Sequence, residues 1–252
     1  MLEKLPLWLL HLIWWMGFIL LFPLWYWQKR RIQPLNRILP YPAGATQGVF
    51  KGTYPIHTLV VLGESTAVGI GIATHAQGLA AQIAAHLNGY TKQAIHWQCL
   101  GGREINVQKT HHWLIPQVEP LKPDILVIVL GLNDTWQLTS LSRWREELYR
   151  VIHSAKDNVK QGIFFTLSPP FSQKKYAPQP LRFLLNIRRM LLNYHLEQSV
   201  IRQAKCAYID FTHSPQSMDY WAEDGIHPSA AGYTLWGEHI ARQILARLGR
   251  LK

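Results

Sequence analysis

The sequence predicts an α/β fold in which a parallel sheet carries helices on both faces. Two observations support this: short apolar, β-branched segments alternate with helical segments, and the short segments close on glycine or proline. The most apolar segment, residues 124–131 (DILVIVLG), is typical of a central parallel strand buried on both faces. We therefore expect five parallel strands with intervening helices.

The predicted elements alternate along the chain from residue 57 onward. The first strand, HTLVVLG, is followed by an alanine-rich helix, and the fourth strand is GIFFTLS. The predicted strands are His57–Gly63, Ile95–Gly101, Asp124–Gly131, Gly162–Ser168 and Ala207–Phe211. The predicted helices are Gly78–Leu87, Val107–Ile115, Ser142–Val159, Leu181–Ala204 and Ala230–Leu248.

Composition excludes several classes of protein. The 252 residues suffice for one sizeable core, and 48% hydrophobic residues with 16% charged residues argue against disorder. A mean hydropathy of -0.05 excludes a multi-span membrane protein. The net charge of +11 is spread along the chain without a basic run interleaved with aromatics, so we expect no nucleic-acid partner. Two cysteines are too few for a disulfide framework or a cysteine-based zinc site.

The first 31 residues differ from the rest and predict a membrane anchor. Residues 5–27 carry no charged side chain and reach about 34 Å as a helix, enough to cross a hydrocarbon core. Aromatic residues 25–27 and the basic residues 29–31 follow, as at a membrane interface. A cleaved signal peptide fits less well because the run is too long and its basic cluster comes after it. Because His11, Pro6 and Pro23 interrupt the run, a helix that lies in the plane of the membrane interface remains an alternative.

A tether and a body follow the anchor. Four prolines and three glycines between residues 32 and 56 predict an irregular linker, and residues 57–252 form the predicted catalytic domain. Residues 1–50 hold five Lys or Arg against one acid, and four of these bases follow the apolar run. The positive-inside rule then predicts a single-pass protein with its body in the cytoplasm.

Chemically useful residues follow four of the predicted strands. Ser65 comes after the first strand, a glycine pair after the second, Asn133 after the third, and Asp224 with His227 lies between the fifth strand and the last helix. In parallel sheets these positions converge at one edge, where sites form. The set comprises a nucleophile, oxyanion donors, a base and its orienting acid, as acyl transfer requires.

The spacing within this set has a mechanical meaning. Asp224, three residues before His227 in a tight turn, can reach the imidazole and stabilise the imidazolium that forms when Ser65 loses its proton. The Gly102 amide, the Asn133 side chain and the Ser65 amide can donate to an oxyanion. Gly101 is also a candidate, but Gly102 lies further beyond the strand end.

Each residue alone has an ordinary explanation, such as a helix cap or a turn, and the combination is what carries the prediction. Other motifs are absent or broken: Ala67 interrupts a Gly-x-Ser-x-Gly elbow, Thr74 interrupts GxGxxG, and no P-loop occurs. His111 and His112 are adjacent, so their side chains should diverge on a helix, and we predict no metal site. The basic residues between 174 and 189 are predicted to form a solvated helix face or a rim that meets anionic lipid: Lys174, Lys175, Arg182, Arg188 and Arg189.

The sequence resembles the SGNH/GDSL hydrolases. Four blocks of that family match in order at Ser65, Gly102, Asn133 and the pair Asp224/His227, and the match spans most of residues 57–245. Glu64 departs from the family, which has aspartate there, but that acid is not catalytic in the family. GESTAVGIGIATHAQGLA and APQPLRFLLNIRRMLLN are similar to a bacterial branch with an N-terminal hydrophobic segment.

The resemblance implies a flavodoxin-like three-layer αβα sandwich behind an N-terminal transmembrane helix. It also implies a serine ester hydrolase without cofactor, acting on carboxylic esters of lysophospholipid or short-chain lipid type, at a bacterial inner membrane. Two alternatives remain open: a glycan O-acetyl esterase, and a membrane-tethered binding module without turnover. The oligomeric state is not predicted.

Overall fold

The computed structural model describes residues 5–32, 39–170, 177–210 and 218–249, which include one six-stranded sheet. The strands are β1 Gln47–Phe50, β2 Thr53–Gly63, β3 Gln93–Gly101, β4 Ile125–Val129, β5 Gly162–Thr166 and β6 Cys206–Ile209. Their spatial order is β1-β3-β2-β4-β5-β6, with β1 antiparallel to β3 and all other pairs parallel. The five parallel strands, counted along the chain, have the order 2-1-3-4-5 of flavodoxin-like sheets.

Helices cover both faces of the sheet, as predicted. The α-helices are α1 Leu7–Leu20, α2 Phe22–Ile32, α3 Leu79–Thr91, α4 Val107–Lys109, α5 Ile115–Val118, α6 Leu132–Gln137, α7 Leu141–Lys156, α8 Leu181–Val200 and α9 Ala230–Arg247. Helices α3 and α9 form one apolar core with the sheet, and residues 107–118 with α7 and α8 form the core of the other face. The body is therefore a three-layer sandwich.

The predicted linker contains structure that the sequence did not indicate. Residues 47–50 form β1, and β2 begins at Thr53 rather than at residue 57, so the sheet has one strand more than predicted. Both segments contain glycine or proline, which obscured their alternation. Packing explains the glycine at position 48, because a Cβ there would lie 2.9 Å from the indole of Trp97 on β3. Residues 33–38 of the linker lie outside the described part of the chain.

The predicted transmembrane helix is instead a broken pair of helices. Among the described residues no single helix is long and apolar enough to cross a membrane, and α1 and α2 pass that test only together, with a bend of 80° between them. The break falls at Leu21, two residues before Pro23. Pro23 has no N–H to donate, and its ring disfavours continuous helix through the preceding turn.

This helix pair packs on the body. Leu10, Trp14 and Trp25 are buried in one apolar cluster with the first half of α8. The Gln28 side chain fixes the contact, since its Nε2 donates to the Gln179 carbonyl at 2.7 Å and its Oε1 accepts from the Leu181 N–H at 3.2 Å. Residues 5–32 are therefore not an independent extension of the fold.

Two smaller predictions were also wrong. The segment Val107–Ile115 is not one regular helix, because a π-helical turn, Thr110–Leu114, separates α4 from α5. Arg188 and Arg189 do not form a solvated face: both are buried, and their guanidinium groups donate to the carbonyls of Thr139 and Ser168. Lys174, Lys175 and Phe211, the predicted end of the fifth strand, lie outside the described residues.

Candidate active site

Glycines end the strands at the carboxyl edge of the sheet and allow the strand ends to approach closely. Gly63 ends β2 with φ +137°, and a Cβ there would lie 2.0 Å from the Val129 carbonyl oxygen. Gly101 ends β3 in the same way, with φ +150°, and a Cβ there would lie 2.1 Å from the Gly63 carbonyl oxygen. These two glycines are required by backbone contact, and the loops that follow them start side by side.

Ser65 follows β2 in a tight turn. The Ser65 carbonyl accepts from the Ile70 N–H at 3.1 Å, and the Glu64 carbonyl accepts from the Ala67 N–H at 2.8 Å. These bonds close the turn at once after the strand and hold the Ser65 side chain at the edge of the sheet. The Ser65 N–H has no hydrogen-bond partner among the described residues, so it is available as a donor.

Asp224 and His227 lie in one turn before α9. The Asp224 Oδ1 accepts from the Ile226 N–H at 2.8 Å and from the His227 N–H at 3.0 Å, which fixes the carboxylate within its own loop. The loop closes through the Ala222 N–H, which donates to the His227 carbonyl at 2.8 Å. The side chain of Ser229 then caps α9 through the Gly232 N–H at 3.1 Å.

The structure brings Ser65, His227 and Asp224 into one chain of hydrogen bonds. The distance from Ser65 Oγ to His227 Nε2 is 2.8 Å, and that from His227 Nδ1 to Asp224 Oδ2 is 2.6 Å. Burial opposes ionisation of the Asp224 carboxyl, but the hydrogen bonds and the charge of His227 outweigh it, so the pKa of Asp224 lies below its ordinary value. A charged Asp224 favours the His227 tautomer whose Nε2 accepts the serine proton.

Two contacts hold the serine and histidine loops together. The hydroxyl of Tyr233, on α9, donates to the Ile70 carbonyl at 2.8 Å. Gly71 allows close approach, because a Cβ there would lie 2.8 Å from the Pro228 carbonyl oxygen and 3.1 Å from the His227 Cβ. The Ser65 to His227 distance is thus set by packing on both sides of the pair.

Asn133 lies in the first turn of α6, a short helix that the sequence analysis did not predict. Its Nδ2 donates to the Ile105 carbonyl at 2.7 Å, which orients the amide and leaves its second N–H free for another acceptor. The Glu64 Oε1 accepts from the backbone N–H of Asn133 at 2.9 Å and from that of Gly131 at 2.8 Å. Asp134 completes the arrangement by accepting from the Val107 N–H at 3.0 Å.

Gly102 lies where predicted, but its N–H is engaged in this structure. It donates to the Gly63 carbonyl at a long 3.2 Å, so service as an oxyanion donor requires this bond to be shared or exchanged. The next N–H, of Arg103, donates at 3.0 Å to the hydroxyl of Tyr41. The Tyr41 side chain therefore lies over the glycine pair, and nothing in the irregular sequence around it indicated this position.

A small apolar cavity of about 30 Å³ adjoins the site. Its walls include the sequence neighbours of the predicted site residues: Glu64 and Thr66 flank Ser65, Leu132 precedes Asn133, and Ile226 precedes His227. Leu167, Pro169 and Trp221 complete much of its lining. A cavity of this size holds a group of roughly water size.

His111, His112 and Glu147 place three potential metal ligands within 4.8 Å of one another. Adjacent histidines on a regular α-helix would diverge, but here the π-helical turn brings the two ring centroids to 4.5 Å. Helix α7 supplies Glu147, an acidic partner that the spacing in the sequence did not indicate. Glu147 already contacts Arg150 at 3.2 Å and His111 at 3.0 Å. Since a cation already pairs with this carboxylate, the group fits an ion-pair network.

Comparison with solved structures gives the same fold. The lipase/acylhydrolase from Enterococcus faecalis is 22% identical, with a TM-score of 0.58, covering 78% of this chain and 97% of that one. An acetyl xylan esterase from Geobacillus stearothermophilus is 19% identical, with a TM-score of 0.55 and coverages of 78% and 96%. An alpha/beta hydrolase enzyme from the metagenome of Lake Arreo, Spain, is 22% identical, with a TM-score of 0.57 and coverages of 78% and 96%.

Family comparison is more specific than the fold. No curated protein sequence matches the chain. The model of the GDSL-like Lipase/Acylhydrolase family matches residues 61–235, a span that begins within β2 and ends in α9 and that contains Ser65, Asn133 and His227. Because this match covers more than half of the chain, the protein belongs to the GDSL-like lipase/acylhydrolase family and is an ester-hydrolysing enzyme.

Proposed function

We propose that Ser65 is the nucleophile, His227 the general base and Asp224 the residue that orients it. The single observation that carries this proposal is the unbroken hydrogen-bond chain from Ser65 Oγ through the imidazole to the Asp224 carboxylate. Ser65 Oγ attacks the ester carbonyl while its proton passes to His227 Nε2. The same proton then goes to the departing alcohol, and water, deprotonated by His227, releases the acid from the acyl-enzyme.

The oxyanion is held by donors that the loops present at the sheet edge. We assign the Ser65 N–H, the free Asn133 Nδ2–H and the Gly102 N–H to this role. Asn133 has the strongest support, because Ile105 orients its amide while Glu64 holds its backbone. Such donors act on charge that develops only in the transition state, so they accelerate the reaction more than they strengthen substrate binding.

We assign carboxylic esters as substrates, with lysophospholipid or short-chain lipid esters as the favoured class. The apolar helix pair at residues 7–32, which packs on α8 and shares an apolar cluster with Leu132 and Trp136 of α6, supports a lipid substrate because it gives the enzyme an apolar surface on that side of the body. The basic residues 29–31 support the cytoplasmic face of a bacterial inner membrane as its location, since that surface is anionic.

A second candidate is a glycan O-acetyl esterase. It is favoured by the small cavity lined by Glu64, Thr66 and Ile226, whose volume of about 30 Å³ leaves no room for a long acyl chain. The solved acetyl xylan esterase of similar fold is named for an acetyl ester substrate, which supports the same candidate. A binding module without turnover is disfavoured, since its serine and histidine would have no reason to keep hydrogen-bond contact.

The test is labelling followed by a substrate panel. A fluorophosphonate probe is expected to label the full-length protein and to fail with Ser65→Ala, whereas an unlabelled wild-type protein would contradict the serine mechanism. Hydrolysis of p-nitrophenyl esters from acetyl to palmitoyl, lysophosphatidylcholine and acetylated xylan then separates the two candidates. Activity that peaks with acetyl groups on glycan would favour the second candidate over lipid esters. Protease treatment of intact and inverted membrane vesicles tests the location.

A further inference from the structure

The outward face of the N-terminal helix pair, residues 7–32, is unusually apolar for a protein surface. Ten large apolar side chains between residues 8 and 27 are 41–71% exposed: Trp8, Leu12, Trp15, Met16, Ile19, Leu20, Phe22, Leu24, Tyr26 and Trp27. Positions 8, 12, 15 and 19 form one stripe along α1. A contiguous apolar surface of this kind marks an interaction site rather than ordinary surface variation.

The opposite face of the same pair is bound to the body. Leu10 and Trp14 are buried against α8, and Gly17 lets α1 approach so closely that a Cβ there would lie 2.5 Å from Leu184 Cδ2. Gln28 adds its two hydrogen bonds to residues 179 and 181. A membrane-crossing arrangement would have to straighten the 80° bend and expose the α8 side chains that the pair now covers.

Basic side chains border this face. Lys29, Arg30 and Arg31 end α2, and the guanidinium of Arg31 lies 3.9 Å from the Trp27 ring centroid. Arg30 lies 4.8 Å from the ring centroid of Tyr26. Amphipathic aromatic rings next to exposed cations are the arrangement that suits the headgroup level of an anionic bilayer.

The helix pair shares its apolar cluster with the helix that carries Asn133. Leu132 and Trp136 of α6 pack on the same apolar cluster as Trp14 and Trp25. Leu132 in addition lines the cavity beside Ser65. A partner surface bound to the outward face of the helix pair would therefore lie on the α6 side of the site.

We propose that residues 7–32 dock in the plane of one leaflet of an anionic bilayer, without crossing it, and hold the α6 side of the active site at the lipid surface. This inference rests on the proposed ester hydrolysis for its use, but docking itself does not depend on it. The bound helix pair shortens the path of a lipid ester to Ser65 and raises its effective concentration there.

The first test measures binding of full-length protein to vesicles of phosphatidylcholine with 30% phosphatidylglycerol by flotation. Trp15→Glu and Ile19→Glu are expected to weaken binding by more than tenfold, because each places a charge in the apolar face. Trp113→Glu and Ile201→Glu are matched controls, since Trp15 and Trp113 are both 58% exposed and Ile201, 58% exposed, is close to Ile19 at 65%. All four variants should hydrolyse a soluble acetyl ester at the wild-type rate.

Several results would overturn the proposal. Wild-type binding by Trp15→Glu and Ile19→Glu, or binding that is insensitive to phosphatidylglycerol and salt, contradicts docking through this face to anionic lipid. Failure of the wild type to bind vesicles, together with dimers that Trp15→Glu dissociates, would assign the face to a second copy. A protein that binds vesicles but hydrolyses no ester would leave docking intact and reject the proposed chemistry instead.

The second test separates lying in the interface from crossing it. A protease-cleavable epitope tag at the N-terminus is placed on protein reconstituted into sealed vesicles, and only molecules with an external body are scored. In-plane docking predicts that the tag is cleaved from outside, on the same side as the body. A tag protected until detergent is added would show a crossing segment and overturn the proposal.

Discussion

Glu64 holds Asn133 from beneath: the Glu64 Oε1 accepts from the Asn133 backbone N–H at 2.9 Å, while the Glu64 side chain is almost fully buried. The residue before the proposed nucleophile thus positions the loop that carries a proposed oxyanion donor. Burial raises the pKa of Glu64 well above its ordinary range, although the N–H groups of Asn133 and Gly131 favour the carboxylate. A neutral carboxyl still accepts both bonds through its carbonyl oxygen.

Substitution of Glu64 should therefore act through position and not through charge. Glu64→Ala leaves the buried Gly131 N–H and the partly buried Asn133 N–H without this acceptor. We therefore expect a loss of about 2 kcal/mol or more in stability and about a 10²-fold loss of kcat. Glu64→Gln keeps the carbonyl oxygen and should restore both. Equal damage by Gln and Ala, in kinetics and denaturant unfolding, would show that the charge itself is needed.

Ser65 and His227 should behave as one unit. Ser65→Ala and His227→Ala are each expected to abolish measurable turnover while the circular dichroism spectrum stays unchanged. The double variant should be hardly worse than either single variant, because each removes the same pathway. Strictly additive losses in kcat would be inconsistent with the proposed roles.

Asn133→Ala tests the oxyanion donor. Loss of one such donor typically lowers kcat by on the order of 10²–10³ with little change in KM. Asn106→Ala is a neighbouring control, since the Asn106 Oδ1 caps α4 through the Lys109 N–H at 2.9 Å. That control should lose about 1 kcal/mol of stability and little activity. The opposite pattern would make Asn133 a structural turn residue.

Asp134 should make stability depend on pH. Burial raises its pKa to about 6, against the opposing hydrogen bonds from Thr139 and Val107 and the charge of Arg188. Because the folded-state value exceeds the unfolded one, this group stabilises the fold fully below about pH 4, and that stability is lost as pH rises through about 6. The contribution is about 3 kcal/mol from the shift.

The comparison variant for this effect is Asp134→Asn, which cannot titrate. In chemical unfolding between pH 4 and 7, the free energy of unfolding of the Asn variant should rise relative to that of the wild type as pH rises, by up to about 3 kcal/mol. A difference that does not change with pH would mean that Asp134 titrates normally in the fold.

Most of the parallel strands follow from the sequence because the central ones, β4 and β5, are buried at every position, whereas the flavodoxin-like architecture was implied only by the family resemblance. A strand such as β4, buried at all five positions, produces an uninterrupted apolar run that no other element of that length resembles. The site residues follow from the same logic, since each comes directly after such a strand or in the loop before α9. β1 could not be predicted, because its four residues are half exposed and depend on pairing with β3.

Long-range contacts explain the other failures. Tyr41 reaches the site only because its loop crosses the glycine pair, and no local pattern encodes that crossing. Arg188 and Arg189 are charged, so periodicity placed them in solvent, yet carbonyl acceptors far along the chain make their burial possible. Pro23 indicates the bend at Leu21, whereas the uncharged run around it is typical of one continuous membrane-spanning helix.

The bond between Ser65 and His227 joins positions 162 residues apart. The histidine loop is fixed by α9, the last helix, through the cap at Ser229 and the bond from Tyr233 to Ile70. Activity that depends on the proposed pair of Ser65 and His227 therefore requires α9 to be synthesised and docked on the serine loop. Recovery of activity on refolding would then report the docking of α9, the element that fixes the His227 loop.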